Sequence, residues 1–274
     1  MKSEKSFYLL GGRELYVLAG LIGFIVLVSA AYVLWLPDVS EFKKKNPAET
    51  SFMRIKEAQA KAQGKKLGRK LVWTGWYGIS ENLKYAVLVA EDGGFYNHKG
   101  VDWDSTRQAL ATDWKKKRFA SGGSTITQQL ARNLYLSPSK NPLRKIKEIL
   151  IAQRLEKVLG KRRIFEIYLN VAEWGKGIYG AEAASQAYFG KSAADLTPEE
   201  GAALAAALPS PRRYNPTGGT RFMERQKSRI VNRMRASGYL PDETEDDLLD
   251  ENFEVIASTE MEVSTPPVVS TITE

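Results

Sequence analysis

The sequence predicts a mainly α-helical domain carried behind one N-terminal transmembrane helix. Three observations lead there. Residues 15–36, LYVLAGLIGFIVLVSAAYVLWL, run for 22 residues without a charge. Beyond residue 80, apolar side chains recur every three or four residues in one segment after another, the period of amphipathic helices. No strand–helix alternation and no internal repeat is visible, which argues against a nucleotide-binding α/β sheet.

As a helix, the apolar run spans roughly 33 Å, enough to cross a hydrocarbon core. Val28-Ser29-Ala30 resembles a leader-peptide cleavage site, but the run continues through Tyr32 to Leu36, too long for a typical leader core. An uncleaved anchor is expected, with residues 1–14 as a short cytoplasmic N-terminus. Lys2, Lys5 and Arg13 precede the span and Lys43, Lys44, Lys45 and Arg54 follow it, so flanking charge leaves the orientation open. Residues 37–70 read as a Lys-rich, membrane-proximal connector with a short helix near 51–63.

The main domain is expected over 71–240. It opens with a segment read as extended, LVWTGWYGI at 71–79. Ser80 then caps a helix with Leu83, Val87 and Ala90 on one face, ended by Gly93-Gly94. Another helix follows from about Trp103 to Trp114. Ser124 reads as the N-cap of a helix with Ile126, Leu130 and Leu134 as its buried stripe. The segment 144–159 is strongly helical, and Ile164, Ile167, Tyr168 and Val171 form the next apolar stripe. Thr197-Pro198-Glu199-Glu200 is a capping box with Pro at the first helical position, opening a helix that Pro209 closes. The last helix, about 219–237, turns Met223, Ile230 and Met234 inward and stops at Gly238.

Charge is divided along the chain. Of its 32 acidic side chains, 11 fall in residues 241–274, which hold no Lys or Arg and read as an acidic disordered tail. The preceding 240 residues carry 40 basic against 21 acidic side chains, a formal balance of +19. Such a field favours anionic partners: phospholipid surfaces, phosphorylated lipids or nucleic acid. No zinc-finger, homeodomain or RNA-recognition signature is present, and a membrane anchor disfavours nucleic acid. The run Lys115-Lys116-Lys117-Arg118 is suited to anionic headgroups, with plain solvation as its bland alternative. The absence of Cys decides no compartment.

The most informative stretch is GGSTITQQLARNLYL, 122–136. Gly122 and Gly123 allow close backbone approach, and the unpaired N–H groups of the following helix favour an anion. Arg132 adds a full charge two turns on, and Gln128 and Gln129 lie beside it. The array reads as a cradle for a phosphorylated substrate. Glu91 stands at a helix C-terminus beside Asp92, and both the dipole and that neighbour should raise its proton affinity and suit it to act as a general base, with a helix-terminal acidic pair that only solvates a turn as the alternative. His98 is the only histidine, which excludes a multi-His metal site and disfavours a Ser-His-Asp triad. Glu148 shares a helix face with Ile151, Leu155 and Leu159, so it points inward and needs a partner; Arg144 lies one turn earlier. Lys140 and Lys145 complete a set of cations around it.

EDGGFYNHKG, GGSTITQQ, RKIKE and FEIYLN, in this order, resemble the blocks of the peptidoglycan glycosyltransferases, shared by class A penicillin-binding proteins and monofunctional transglycosylases. The resemblance covers about residues 40–235. It implies a lysozyme-like helical fold acting at the membrane on lipid II, a disaccharide-pentapeptide joined by diphosphate to a polyprenyl chain. It implies Glu91 as the catalytic base, and places Ser124, Arg132, Lys140 and Arg144 around the diphosphate. Glu148 matches the second essential carboxylate, linked to a divalent cation (Mg or Mn); no organic cofactor is implied. Gln128, Gln129 and Lys145 match cleft positions, and Asp92 and His98 supporting ones. The expected product is a β-1,4-linked, lipid-bound glycan strand, formed by inversion with release of polyprenyl diphosphate. The anchor resembles that of monofunctional enzymes of Gram-negative inner membranes, which points to a single-pass protein with a periplasmic domain and to cell-division or cell-wall synthesis proteins as partners. Ser40-Glu41-Phe42-Lys43 and Ser137-Pro138-Ser139-Lys140 match the first penicillin-binding signature, but no Lys-Thr-Gly or Lys-Ser-Gly follows. Transpeptidation is not expected. The alternatives are a lysozyme-like lytic enzyme, which would leave the diphosphate-binding cations without a task, and a non-catalytic cell-wall scaffold.

Overall fold

The computed structural model describes residues 12–65, 68–116, 123–139 and 141–241. Lys140, residues 117 and 118 of the basic run, Gly122 and the acidic tail after residue 241 therefore lie outside the described residues. Two compact units divide the chain, Met1–Val231 and Asn232–Glu274.

In the first unit the apolar run forms α1, Gly12–Leu34, shifted by two or three residues from the expected 15–36. Pro37 follows, and its ring biases the chain just before it away from helix. The stretch Tyr16–Leu34 has mean hydropathy 2.6 and none of it is buried, so it is long and apolar enough to cross a membrane. At its end, Lys147 Nζ lies 4.1 Å from the centre of the Tyr32 ring.

α2, Ser51–Ala62, starts from the Thr50 cap and lies within the segment read as a connector. It nevertheless packs on the helical body, against α5, Ile126–Tyr135. Arg163 fixes the approach to α2 by donating to the carbonyls of Phe42 at 2.8 Å and Lys45 at 2.9 Å and to Asn46 Oδ1 at 2.7 Å.

Around α5 stand α6, Pro142–Val158, and α7, Lys161–Val171. Ile126 and Leu130 are fully buried and Leu134 nearly so, the stripe the periodicity predicts. α3, Glu81–Glu91, lies instead against α9, Pro198–Ala207. Gly201 permits this contact, because a Cβ there would sit 3.0 Å from the Leu83 nitrogen. Five buried alanines of α9, at 202, 203, 205, 206 and 207, keep the helices close. α4, Trp103–Lys116, and α8, Ala181–Phe189, complete this unit apart from the final helix. Sequence periodicity gave no sign of α8, whose buried residues are Ala181, Ala183, Ala184 and Ser185. α10, Arg221–Ala236, buries Met223 and Ile230 in its first-unit portion. In the second unit the end of α10 buries Met234 and stops at Gly238, φ +72°.

The segment 71–79 departs from expectation. Only Lys70–Leu71 is a strand, β1, pairing in parallel with β3, Ile178–Tyr179, which also pairs antiparallel with β2, Glu173–Gly175. Trp76–Gly78 is a 3-10 turn. Between them the buried Asn170 side chain takes the place of a neighbouring strand: it accepts the Thr74 N–H and donates to the Thr74 carbonyl, both at 2.9 Å. A side-chain amide thus satisfies backbone that the sequence leaves as a candidate strand.

Candidate active site

Glu91 ends α3, where the chain turns away at Asp92. Its Oε2 accepts a 2.7 Å hydrogen bond from Gln129 Nε2, one turn into α5. The other end of that amide accepts from the Tyr168 hydroxyl at 3.0 Å. Burial, then the charge of Glu91, hold the Tyr168 phenol well above its ordinary value, so it stays a donor and fixes the amide with its NH2 toward Glu91.

Burial raises the proton affinity of Glu91. The Gln129 hydrogen bond and the Arg132 guanidinium oppose the shift, and Asp92 adds least. The direction agrees with the expectation; the cause differs. Desolvation of the carboxyl outweighs the neighbouring charge.

Asp92 accepts the N–H of Ile126 at 2.9 Å and faces His98 Nε2 at 3.0 Å. The Gly100 N–H reaches His98 Nδ1 at 3.2 Å, so the ring hydrogen is on Nε2, toward the carboxylate. Asp92 and His98 therefore brace the end of α3 against the first turn of α5.

This geometry corrects two expectations about α5. Its N-cap is Thr125, not Ser124: Thr125 accepts the Gln128 N–H at 3.1 Å, and Gln128 Oε1 accepts the Thr125 N–H at 3.1 Å. The reciprocal box wins because Thr125 has Gln at the third helical position, and its hydroxyl also reaches the Gly100 carbonyl at 2.7 Å. The helix start is accordingly no open phosphate cradle. The N–H groups of Ile126 and Gln128 are bound to Asp92 and Thr125, and the anion at the dipole's positive end is Asp92 itself. Gln128 is buried in the cap and does not line the cleft.

Ser124 instead faces the second carboxylate cluster. Lys145 Nζ donates to Ser124 Oγ at 2.9 Å and to Glu148 Oε1 at 2.6 Å, while Arg144 Nη1 holds Glu148 Oε2. Glu148 is fully buried, as its helix face predicts. Two cations compensate a desolvation cost of several kcal/mol. Arg144 Nε also donates to the Ser139 carbonyl at 2.6 Å, tying the loop before α6 to this cluster.

The two clusters meet at one cavity of about 580 Å³. Gln129, Arg132, Ser139, Arg144 and Tyr168 line it, with Phe52 and Lys56 of α2 and Arg212 and Arg213 of the loop after α9. Glu91 bonds to Gln129 and Glu148 to Arg144, so each carboxylate is one hydrogen bond from the cavity wall. Lys145 reaches the cavity only through that pair. Sequence reading missed Arg212, Arg213, Phe52 and Lys56 because they come from a loop and a connector. The only hint was the Arg pair in the Pro-bounded SPRRYNP. Arg212 is held by Glu173, with Nε and Nη2 at 2.9 and 2.8 Å from Oε1.

The residues fit a protein-held divalent cation poorly. Both oxygens of Glu148 are engaged by cations, and no cluster of three His, Asp or Glu side chains suited to a metal occurs among the described residues. The cavity instead offers guanidinium groups to an anion, and the Glu91 carboxylate lies one hydrogen bond behind its Gln129 wall.

Residues 58–235 match the family described as Transglycosylase. A protein of Aromatoleum aromaticum named biosynthetic peptidoglycan transglycosylase is 47% identical over 225 residues, 80% of this chain and 94% of the relative. Proteins of the same name from Dechloromonas aromatica and Janthinobacterium are each 42% identical, over 81% of this chain and 94% and 98% of their own lengths.

Proposed function

The chain belongs to the transglycosylase family, and on that premise we propose that it polymerises peptidoglycan glycan strands from lipid II, using Glu91 as the base. The observation that supports the site assignment is one cavity whose wall holds the Arg132 and Arg144 guanidinium groups and Gln129, the residue that hydrogen-bonds Glu91 from behind that wall.

The acceptor sugar's 4-hydroxyl gives its proton to Glu91. Its oxygen bonds to C1 of the donor from the face opposite the diphosphate, whose bond to C1 breaks with the electron pair. An α-linked donor thereby becomes a β-1,4 link, and polyprenyl diphosphate leaves. A carboxylate shifted toward neutral pH by burial is the stronger base for this step. Gln129, oriented by Tyr168, keeps its ionised form available.

The leaving group needs charge neutralisation rather than a proton. Arg132 and Arg144 supply it from the cavity wall, and Lys140 is assigned with them by family resemblance. Glu148 holds Arg144 and Lys145 in position, with Ser124 as a further contact of Lys145.

The cationic end of the groove lies on the anchor's side of the body. The Tyr135 hydroxyl, at the end of α5, donates to the Asp38 carbonyl at 3.3 Å, and α6 meets α1 at Tyr32. A diphosphate at a bilayer surface would be presented there. We place α1 as a single-pass inner-membrane anchor with the enzyme in the periplasm, where cell-wall synthesis proteins are its natural partners. The test is incubation of the detergent-solubilised chain with lipid II. Long glycan together with polyprenyl diphosphate is the expected product; shortened sacculi without polymer would mark a lytic enzyme.

A further inference from the structure

A second cavity, of about 380 Å³, is lined by Lys56, Gln59, Gln63, Lys65, Lys176 and Arg212. Lys56 and Arg212 border both cavities, so the two adjoin at these side chains. One face of α2 and its C-cap runs past both: Phe52 lines the first, Lys56 both, and Gln59 and the cap residue Gln63 the second, at intervals of four, three and four residues. Ser139 and Arg144 border only the first cavity, Lys65 and Lys176 only the second. The trough thus leads along α2 away from the cations assigned to the diphosphate.

Four lining residues of this annex are cations and none is acidic. The one carboxylate of α2, Glu57, faces Arg69 at 3.4 Å. Arg212 is paired with Glu173, whereas Lys65 meets the Gln63 amide, at 3.4 Å. Lys176 is exposed in the turn between β2 and β3. Among the described residues no carboxylate pairs with Lys56, Lys65 or Lys176.

We propose that this annex binds the carboxylates of the substrate's stem peptide. The inference rests on the glycan-polymerase reading for the identity of that peptide. Lipid II has two anionic parts. The diphosphate stays at the membrane with its polyprenyl chain, while the pentapeptide branches from the sugar and ends in a free carboxylate. Fully extended, five residues reach at most about 17 Å, close to the roughly 18 Å length of a 12-residue α2. A peptide leaving a sugar beside Gln129 can therefore lie along Lys56 and Gln59 and present its end to Lys65 and Lys176.

Binding of a soluble muramyl pentapeptide, lacking lipid and diphosphate, to the detergent-solubilised full chain tests this without requiring turnover. Neither Lys65 nor Lys176 borders the first cavity, so Lys65→Gln/Lys176→Gln removes the two of the annex's four cations that belong to the annex alone. The double substitution should weaken binding about five-fold, from two partly exposed ion pairs. Amidating the peptide carboxylates should weaken wild-type binding at least as much, and the double substitution should then add little more to the amidated peptide's loss. Equal binding of free and amidated peptide, or no binding to wild type, overturns the proposal. So does a double variant that keeps the peptide but loses affinity for inorganic pyrophosphate, which would make the annex a diphosphate site. A wild-type chain that binds the peptide yet forms no polymer from lipid II supports the annex and contradicts the polymerase reading.

Discussion

Gln129 donates to Glu91 across a 2.7 Å hydrogen bond between side chains 38 positions apart in sequence. It joins the last residue of α3 to the second turn of α5 and makes the groove wall part of the base's environment. Because the bond stabilises the ionised carboxylate, its loss should raise the proton affinity of Glu91 further. Gln129→Met should therefore move the acid limb of the polymerisation rate to higher pH. A pH–rate profile checks this; an unmoved limb would detach Gln129 from the base.

The same burial has a stability consequence of definite sign. The folded-state affinity of Glu91 for its proton is raised above the unfolded value, near 4.5. Its favourable contribution is fully present below that pH and is lost as pH rises through the folded value. Glu91→Gln should thus melt no lower than wild type at neutral pH, with the difference shrinking as pH falls toward 4.5. Calorimetry at several pH values reads it.

Glu148 carries the opposite expectation. Removing a fully buried carboxylate leaves Arg144 and Lys145 without their common partner. Glu148→Ala should cost about 3–5 kcal/mol of stability, measured by urea unfolding, together with loss of polymerisation.

At the start of α5, Thr125→Ala should cost about 1 kcal/mol by removing the cap, and Ser124→Ala less than about 0.5 kcal/mol. Comparable losses at both positions in thermal unfolding would contradict the assignment of the cap to Thr125.

Gly201→Ala places a Cβ against the Leu83 nitrogen and should push α3 from α9 at a cost of about 1–3 kcal/mol. Since α3 carries Glu91, polymerisation should fall beyond what the stability loss explains; denaturant titration alongside activity separates the two.

Legibility in the sequence follows the range of the interactions. The inward face of Glu148 and its pairing with Arg144 one turn earlier were readable, because both lie on one helix. The Thr125 cap was also readable: Gln128 three residues on marks the box, whereas Ser124 lacks such a partner. The Asp92–Ile126 bond was not, because nothing in either segment names a partner 34 positions away. Without it the start of α5 looked free to take a phosphate. The two-residue β1 and β3 are too short for any periodicity, and the side chain of Asn170 replaces a strand that pattern alone would supply. Arg212 acquires its place in the groove from Glu173, across 39 residues.

The most direct measurement is the single-turnover rate of glycan formation from lipid II by wild type and Glu91→Gln, both shown to be folded. If Glu91 removes the acceptor proton, the variant should polymerise about 10²–10⁴-fold more slowly while still binding lipid II. A variant that polymerises at the wild-type rate would contradict the account.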